Sequence, residues 1–99
     1  MADEGKPGAS SGSGKREPRV PPKRLPGFPN ASRARPKTQR PAGGLRTRWK
    51  DQKSGHIYEW DEMHGTVEAY NGQGRHLGEF DPDTGQQTGV PIPTRRVEP

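Results

Sequence analysis

The chain has 99 residues with a formal net charge of +5; 23% of its residues are hydrophobic, and it contains 14 glycines and 12 prolines. This composition excludes a core along the whole length and predicts one small domain at most. The absence of cysteine excludes disulfides and thiolate metal sites. No apolar run approaches the roughly 18 residues of a membrane span.

The two halves of the chain differ in charge and in proline content. Residues 1–48 hold 12 Lys/Arg and 3 Asp/Glu, and residues 49–99 hold 5 Lys/Arg and 9 Asp/Glu. Eight of the 12 prolines lie in the first half. We predict a disordered, basic Gly/Ser/Pro-rich arm over residues 1–45 and a folded module over residues 46–99. The arm is either a solvated tail or an electrostatic arm for phosphate groups.

Local patterns predict the elements in chain order. Asn30 is a good helix cap, so a short turn of helix is possible over residues 30–35. The following short runs, separated by Gly-rich turns, predict strands at 48–51, 56–61, 66–71, 76–81 and 94–97. Strands without intervening helices predict a mainly β fold with a twisted antiparallel sheet. No internal repeat is evident.

Alternation along the strands sorts side chains between two faces. Val67 and Ala69 are expected to face the core, which would leave Glu68 and Tyr70 in a wet groove. If strands 56–61 and 66–71 pair as a hairpin, Asp61 and Glu68 lie near one turn with His64 between them.

Asp61, His64 and Glu68 form a set that can transfer protons without a metal. A carboxylate orients an imidazole, and a second carboxylate can accept a proton while the imidazolium donates one. Cleavage of RNA by its own 2′-hydroxyl needs this division of labour. Arg95 and Arg96 are candidate cations for the charge that develops on phosphorus.

Other interpretations stay open from the residues alone. One histidine and several acids in a polar hairpin also occur by chance, and Asp61, His64 and Glu68 could instead bind a metal. His56 and His76 are expected at the surface. Tyr58 and Trp60 could simply be core residues.

Several separated segments resemble the C-terminal cytotoxic ribonuclease domain of the ribosome-inactivating E-type colicins and cloacin. The resemblance covers about residues 46–97 well and 25–45 loosely. It is carried by residues 48–50, 57–61, 64–65, 76–78, 80–82, 84–85 and 93–97, together with Glu68 and Tyr70.

The resemblance implies a highly twisted antiparallel sheet with a short N-terminal helix. It implies metal-independent cleavage of small-subunit (16S) ribosomal RNA at the decoding site, without a cofactor. By position, Asp61, His64, Glu68 and Arg95 take the family's catalytic roles. The expected substrate-binding residues are Tyr58, Tyr70, Trp60, Arg96, Arg48 and Lys50.

The resemblance also implies partners and a place of action. These are the 30S subunit, a cognate acidic immunity protein, and delivery from a producing bacterium into the cytoplasm of a target cell. The family's functional lysine falls on Gly89 here, so one RNA-contacting charge is missing or supplied elsewhere. A non-catalytic RNA-binding protein and a degenerate toxin remnant that binds only an immunity protein are the alternatives.

Overall fold

The computed structural model describes residues 19–99 and contains one six-stranded sheet. The strands are β1 (Ala31–Ala34), β2 (Arg48–Asp51), β3 (Ile57–Asp61), β4 (Thr66–Tyr70), β5 (His76–Phe80) and β6 (Gln87–Gly89). Each strand pairs antiparallel with the next, so spatial order equals chain order. The predicted mainly β, antiparallel class is therefore confirmed. No helix in residues 19–99 is long and apolar enough to cross a membrane.

The predicted strands at 48–51, 56–61, 66–71 and 76–81 are present as β2 to β5, but both ends of the sheet differ from prediction. The short helix predicted over residues 30–35 is wrong, because this segment forms β1 and pairs with β2. So short a helix gains too few hydrogen bonds to offset nucleation, whereas the edge of β2 offers backbone partners at once. Residues 94–97 do not form a strand; only an isolated bridge joins Arg96 to Arg75. Strand β6 was not predicted.

A repeated turn of similar geometry connects the central strands and recurs every ten residues. Asp51, Asp61 and Asp81 each accept backbone N–H groups on Oδ1 from the residues two and three positions later. Asn71 accepts similarly from positions two and four residues later. Each turn closes on a glycine with positive φ, such as Gly65 at 69°. The sequence therefore does contain a short structural repeat, built from an Asx side chain and a glycine.

One face of the sheet carries the hydrophobic core. Trp49, Tyr58, Trp60, Val67 and Ala69 are buried there together with Leu25. These residues alternate along β2, β3 and β4, as the predicted assignment of Val67 and Ala69 to the core requires. The partly buried Phe28, Ala31, Leu77 and Phe80 pack against this cluster.

An extended segment, residues 19–29, covers the apolar face. The indole N–H of Trp60 donates to the carbonyl of Arg19 at 2.9 Å, and that of Trp49 donates to Lys23 at 3.3 Å. The ring of Phe28 lies 4.4 Å from that of Tyr58. Two parts of the segment predicted to be an arm thus belong to the fold. Leu25 and Phe28 pack in the core, and residues 31–34 form strand β1 of the sheet. Residues 1–18, where that prediction also falls, lie outside the described residues.

Candidate active site

The opposite face of the sheet is polar, and a row of glutamates crosses it. Glu59 on β3 pairs directly with Glu68 on β4, which pairs with Glu79 on β5. Directly opposed like charges destabilise a sheet unless other groups compensate them. Each of the three carboxylates has a basic partner: Arg48 for Glu59, His76 for Glu68 and His64 for Glu79.

His64 follows β3 in the Asx turn and is held by carboxylates on both sides. Its Nδ1 lies 2.9 Å from Oδ2 of Asp61 and 3.3 Å from Oε2 of Glu79. Thr66 and Thr88 donate hydrogen bonds to the two oxygens of Glu79. Because Nδ1 is engaged and the side chain is 61% exposed, Nε2 is the atom that can reach a substrate.

Glu68 is contacted by a different histidine. Nε2 of His76 lies 2.7 Å from Oε1 of Glu68. The backbone N–H of Ile92 donates to Nδ1 of His76 at 2.9 Å, so Nδ1 is an acceptor and the ring proton sits on Nε2. His76 therefore donates to a carboxylate and has no spare lone pair. We infer that it positions Glu68 rather than transferring a proton itself.

The prediction that Glu68 and Tyr70 lie in a wet groove is wrong. Glu68 is 6% exposed and Tyr70 is 1% exposed. The C-terminal residues fold back over this part of the polar face, as the contact from Ile92 to His76 shows. The prediction that His76 is a surface residue is wrong for the same reason, since it is 7% exposed.

Arg95 joins this buried group from the C-terminal segment. Its Nε donates to the hydroxyl of Tyr70 at 3.0 Å, and its Nη1 lies 3.9 Å from Oε1 of Glu68. Burial acts to lower the pKa of Arg95, but Tyr70 and Glu68 outweigh it, so the pKa is raised. Burial also raises the pKa of Tyr70, although Arg95 opposes the shift. Arg95 is thus a permanent cation beside the Glu68 carboxylate.

The structure gives the remaining predicted site residues different surroundings. Arg48 is buried, and its Nη2 lies 2.7 Å from Oε2 of Glu59. Tyr58 and Trp60 lie in the core on the other face of the sheet. Lys50 is half-buried in β2, and Arg96 is exposed near the C-terminus. Their roles in binding a substrate stay predictions.

The sequence interpretation overlooked two residues with direct contacts in the site, His76 and Glu79. Glu79 reaches His64 only because β5 pairs with β4, a register that a local pattern does not reveal. Ligand atoms of Asp61, His64 and Glu79 lie within 4.8 Å of one another. A metal at this position would therefore use Glu79 in place of the Glu68 considered from sequence.

The family model described as Cytotoxic matches residues 18–98. The chain belongs to this family. The resemblance expected from the sequence is therefore confirmed, and the match extends upstream through β1 and the segment that covers the core.

Three named relatives share this region. The chain is 42% identical to cloacin of Escherichia coli over 76 residues, which are 75% of this chain and 14% of cloacin. It is 48% identical to colicin E3 of Escherichia coli over 65 residues, 64% of this chain and 12% of that protein. Colicin-E6 of Escherichia coli is 41% identical over 76 residues, 75% and 14% respectively. The chain spans only a small part of each relative's length.

Proposed function

We propose that this chain is a bacterial toxin domain, a metal-independent endoribonuclease that cleaves 16S ribosomal RNA at the decoding site and so stops translation. The observation that carries the proposal is the pair of histidine–carboxylate groups on one sheet face. His64 with Asp61 and Glu79 forms one group, and Glu68 with His76 forms the other. Membership of the Cytotoxic family and similarity to colicin E3 support the same conclusion.

The proposed reaction is an attack by the ribose 2′-oxygen on the adjacent phosphorus. Glu68 removes the 2′-proton, and protonated His64 gives a proton to the departing 5′-oxygen as the P–O5′ bond breaks. The products are a 2′,3′-cyclic phosphate and a 5′-hydroxyl end. Each proton transfer of this kind contributes roughly 10²–10⁴ in rate. The two roles could be exchanged between Glu68 and His64 without changing the products.

Three further groups support these steps. Asp61 and Glu79 hold the Nδ1 side of the imidazole, which directs Nε2 outward. Arg95 stabilises the negative charge that develops on the phosphoryl oxygens, because it is a cation next to the base. Both protein groups that exchange protons belong to this chain, so the proposed reaction uses no metal and no cofactor.

The net positive charge of residues 19–99 supplies the proposed attraction to RNA. Residues 19–99 carry fourteen Lys/Arg and nine Asp/Glu, whereas residues 1–18 carry three of each. The excess of positive charge therefore lies on the described part of the chain. Phosphate neutralisation by these side chains would make binding salt-dependent.

The proposed partners follow from the family. They are the 30S subunit as target and a cognate acidic immunity protein that protects the producing cell, with delivery from that cell into the cytoplasm of a target cell. An acidic partner would complement a surface with net positive charge and accelerate encounter.

Intact bacterial ribosomes provide the test. They are incubated in a chelator with the wild-type chain and with His64→Ala, and the RNA is separated on a gel. A short 3′ fragment of 16S RNA made only by the wild type supports the proposal. Ribosome binding without cleavage would instead identify a non-catalytic RNA-binding protein, and immunity-protein binding alone would identify a toxin remnant. Cleavage that requires added metal would contradict the mechanism.

A further inference from the structure

A cleft of about 140 Å³ lies between the loop at residues 40–46 and the turn that carries His64. Pro41, Ala42 and Met63 give it apolar walls, and Arg40, Arg46, Asp61 and Glu62 also line it. A cleft volume of only about 10–15 Å³ is enough to hold a single water. The cleft therefore has roughly ten times the space that one water needs, which leaves room for a larger ligand.

Hydrogen bonds hold the loop that forms one wall of the cleft. The backbone of Arg40 donates to Gly44 at 2.9 Å, and Gly43 donates to Arg40 at 3.0 Å. This turn requires φ values of 103° and 77° at the two glycines, which other residues adopt rarely. The loop is also attached to the sheet, since Arg46 donates to the carbonyl of Trp60 at 3.1 Å.

The chemistry of the cleft fits a nucleobase better than a phosphate. Apolar side chains can stack against the flat face of a base. The two arginines of the lining are already engaged, because Arg40 pairs with Glu62 at 3.1 Å and Arg46 donates to the carbonyl of Trp60. Glu62, which already accepts a hydrogen bond from Nη2 of Arg40 at 3.3 Å, could also accept from an exocyclic amine of a base.

Asp61 connects this cleft to the proposed reaction. Asp61 lines the cleft, and its Oδ2 lies 2.9 Å from Nδ1 of His64. Resting on the proposed ribonuclease function, we propose that the cleft binds the nucleobase next to the scissile phosphate. It is a specificity subsite that places the RNA strand against His64.

A methyl group in the cleft provides a direct probe. The chain contains only two methionines, Met1 and Met63, so labelled methionine methyl groups give two signals. Adenosine and guanosine 5′-monophosphate should shift the Met63 signal and leave the Met1 signal in place. Ribose 5-phosphate, which lacks the base, should shift neither. An equal shift with ribose 5-phosphate would identify a phosphate site and overturn the proposal.

A matched pair of variants tests the role of the cleft in cleavage. Ala42→Trp fills the cleft from an exposed position, and Gln73→Trp adds the same side chain to an exposed distant turn. Losing one stacked base should lower kcat/KM on ribosomes about tenfold in Ala42→Trp. Gln73→Trp should match the wild type.

The two proposals fail in different ways. The subsite proposal is wrong, and the ribonuclease proposal stands, if three results coincide. The wild type cuts ribosomal RNA, neither nucleotide moves the Met63 signal, and Ala42→Trp cuts as well as Gln73→Trp. If nucleotides move the Met63 signal but the wild type does not cut ribosomes, the base site stands and the ribonuclease is wrong.

Discussion

Asp61 performs two tasks with two different oxygens, and Asp61→Asn separates them. Oδ1 accepts the backbone N–H groups of Met63 and His64 at 3.0 and 3.2 Å, which shapes the turn. Oδ2 holds Nδ1 of His64 at 2.9 Å. Asparagine can fill the first role, as Asn71 does in the next turn, but its second polar atom is an amide nitrogen that cannot accept from Nδ1.

The expected magnitudes for this substitution differ sharply between activity and stability. Loss of the carboxylate that orients the proposed catalytic imidazole should lower kcat on ribosomes by roughly 10²–10⁴. The turn's hydrogen bonds survive, so the free energy of unfolding should change by less than about 1 kcal/mol. Asp61→Ala removes both oxygens and should cost about 0.5–1.5 kcal/mol, because two exposed backbone donors exchange their intramolecular acceptor for water.

Cleavage of ribosomal RNA and urea unfolding of the same preparations measure the two effects. Asp51→Asn is the matched control, because Asp51 makes the equivalent turn by accepting from Lys53 and Ser54. This control should leave cleavage unchanged. If Asp61→Asn cut RNA within about tenfold of the wild type while Asp61→Ala was inactive, Asp61 would serve only the turn, and the orienting role would be refuted.

Three further predictions concern charge. Burial raises the pKa of both tyrosines, Tyr58 and Tyr70, so phenolate absorbance should appear only above the usual tyrosine pKa of about 10. The folded state then holds protons that the unfolded state releases, and the free energy of unfolding should fall as pH rises above that value. Glu59→Gln should lower the free energy of unfolding by about 3–5 kcal/mol, because it leaves the charge of Arg48 buried and unpaired. The double variant Arg48→Met, Glu59→Leu should leave the free energy of unfolding, measured in urea, nearly unchanged. Arg35 is exposed, and one contact from it to a single-stranded RNA phosphate contributes about 0.7 to the slope of log K for ribosome binding against log salt. Arg35→Gln should reduce the slope by that amount, whereas deletion of residues 1–18 should leave it unchanged.

Local sequence signals were sufficient to predict the strands and turns at the centre of the sheet. An Asx residue and a glycine mark each turn after β2, β3, β4 and β5, and the intervening residues alternate in polarity. Those signals need only neighbouring residues, which is why they also brought Asp61 and His64 together correctly. The edges of the sheet depend on pairing with a distant strand. β1 consequently resembled a capped helix, and the short β6 resembled a loop.

The partners of Glu68 could not be predicted because they depend on long-range register. Alternation shows which side chains of β4 face the core, but it does not show what covers the other face. The C-terminal segment covers Glu68 and brings Arg95 to it, while β5 brings His76. The register between β4 and β5 also shifts at Ala69 and Tyr70, which places His76 opposite Tyr70. A local pattern contains none of this information.

The row of glutamates explains why the site is assembled from so many segments. Three carboxylates paired directly across β3, β4 and β5 repel one another, and the repulsion is strongest where water is excluded. Each therefore requires a basic group, and these come from β2, from the turn after β3 and from β5. Arg95 adds a further cation from the C-terminal segment. The same contacts that compensate the row thus hold the proposed base, the proposed acid and the cation proposed to stabilise the phosphate on one face.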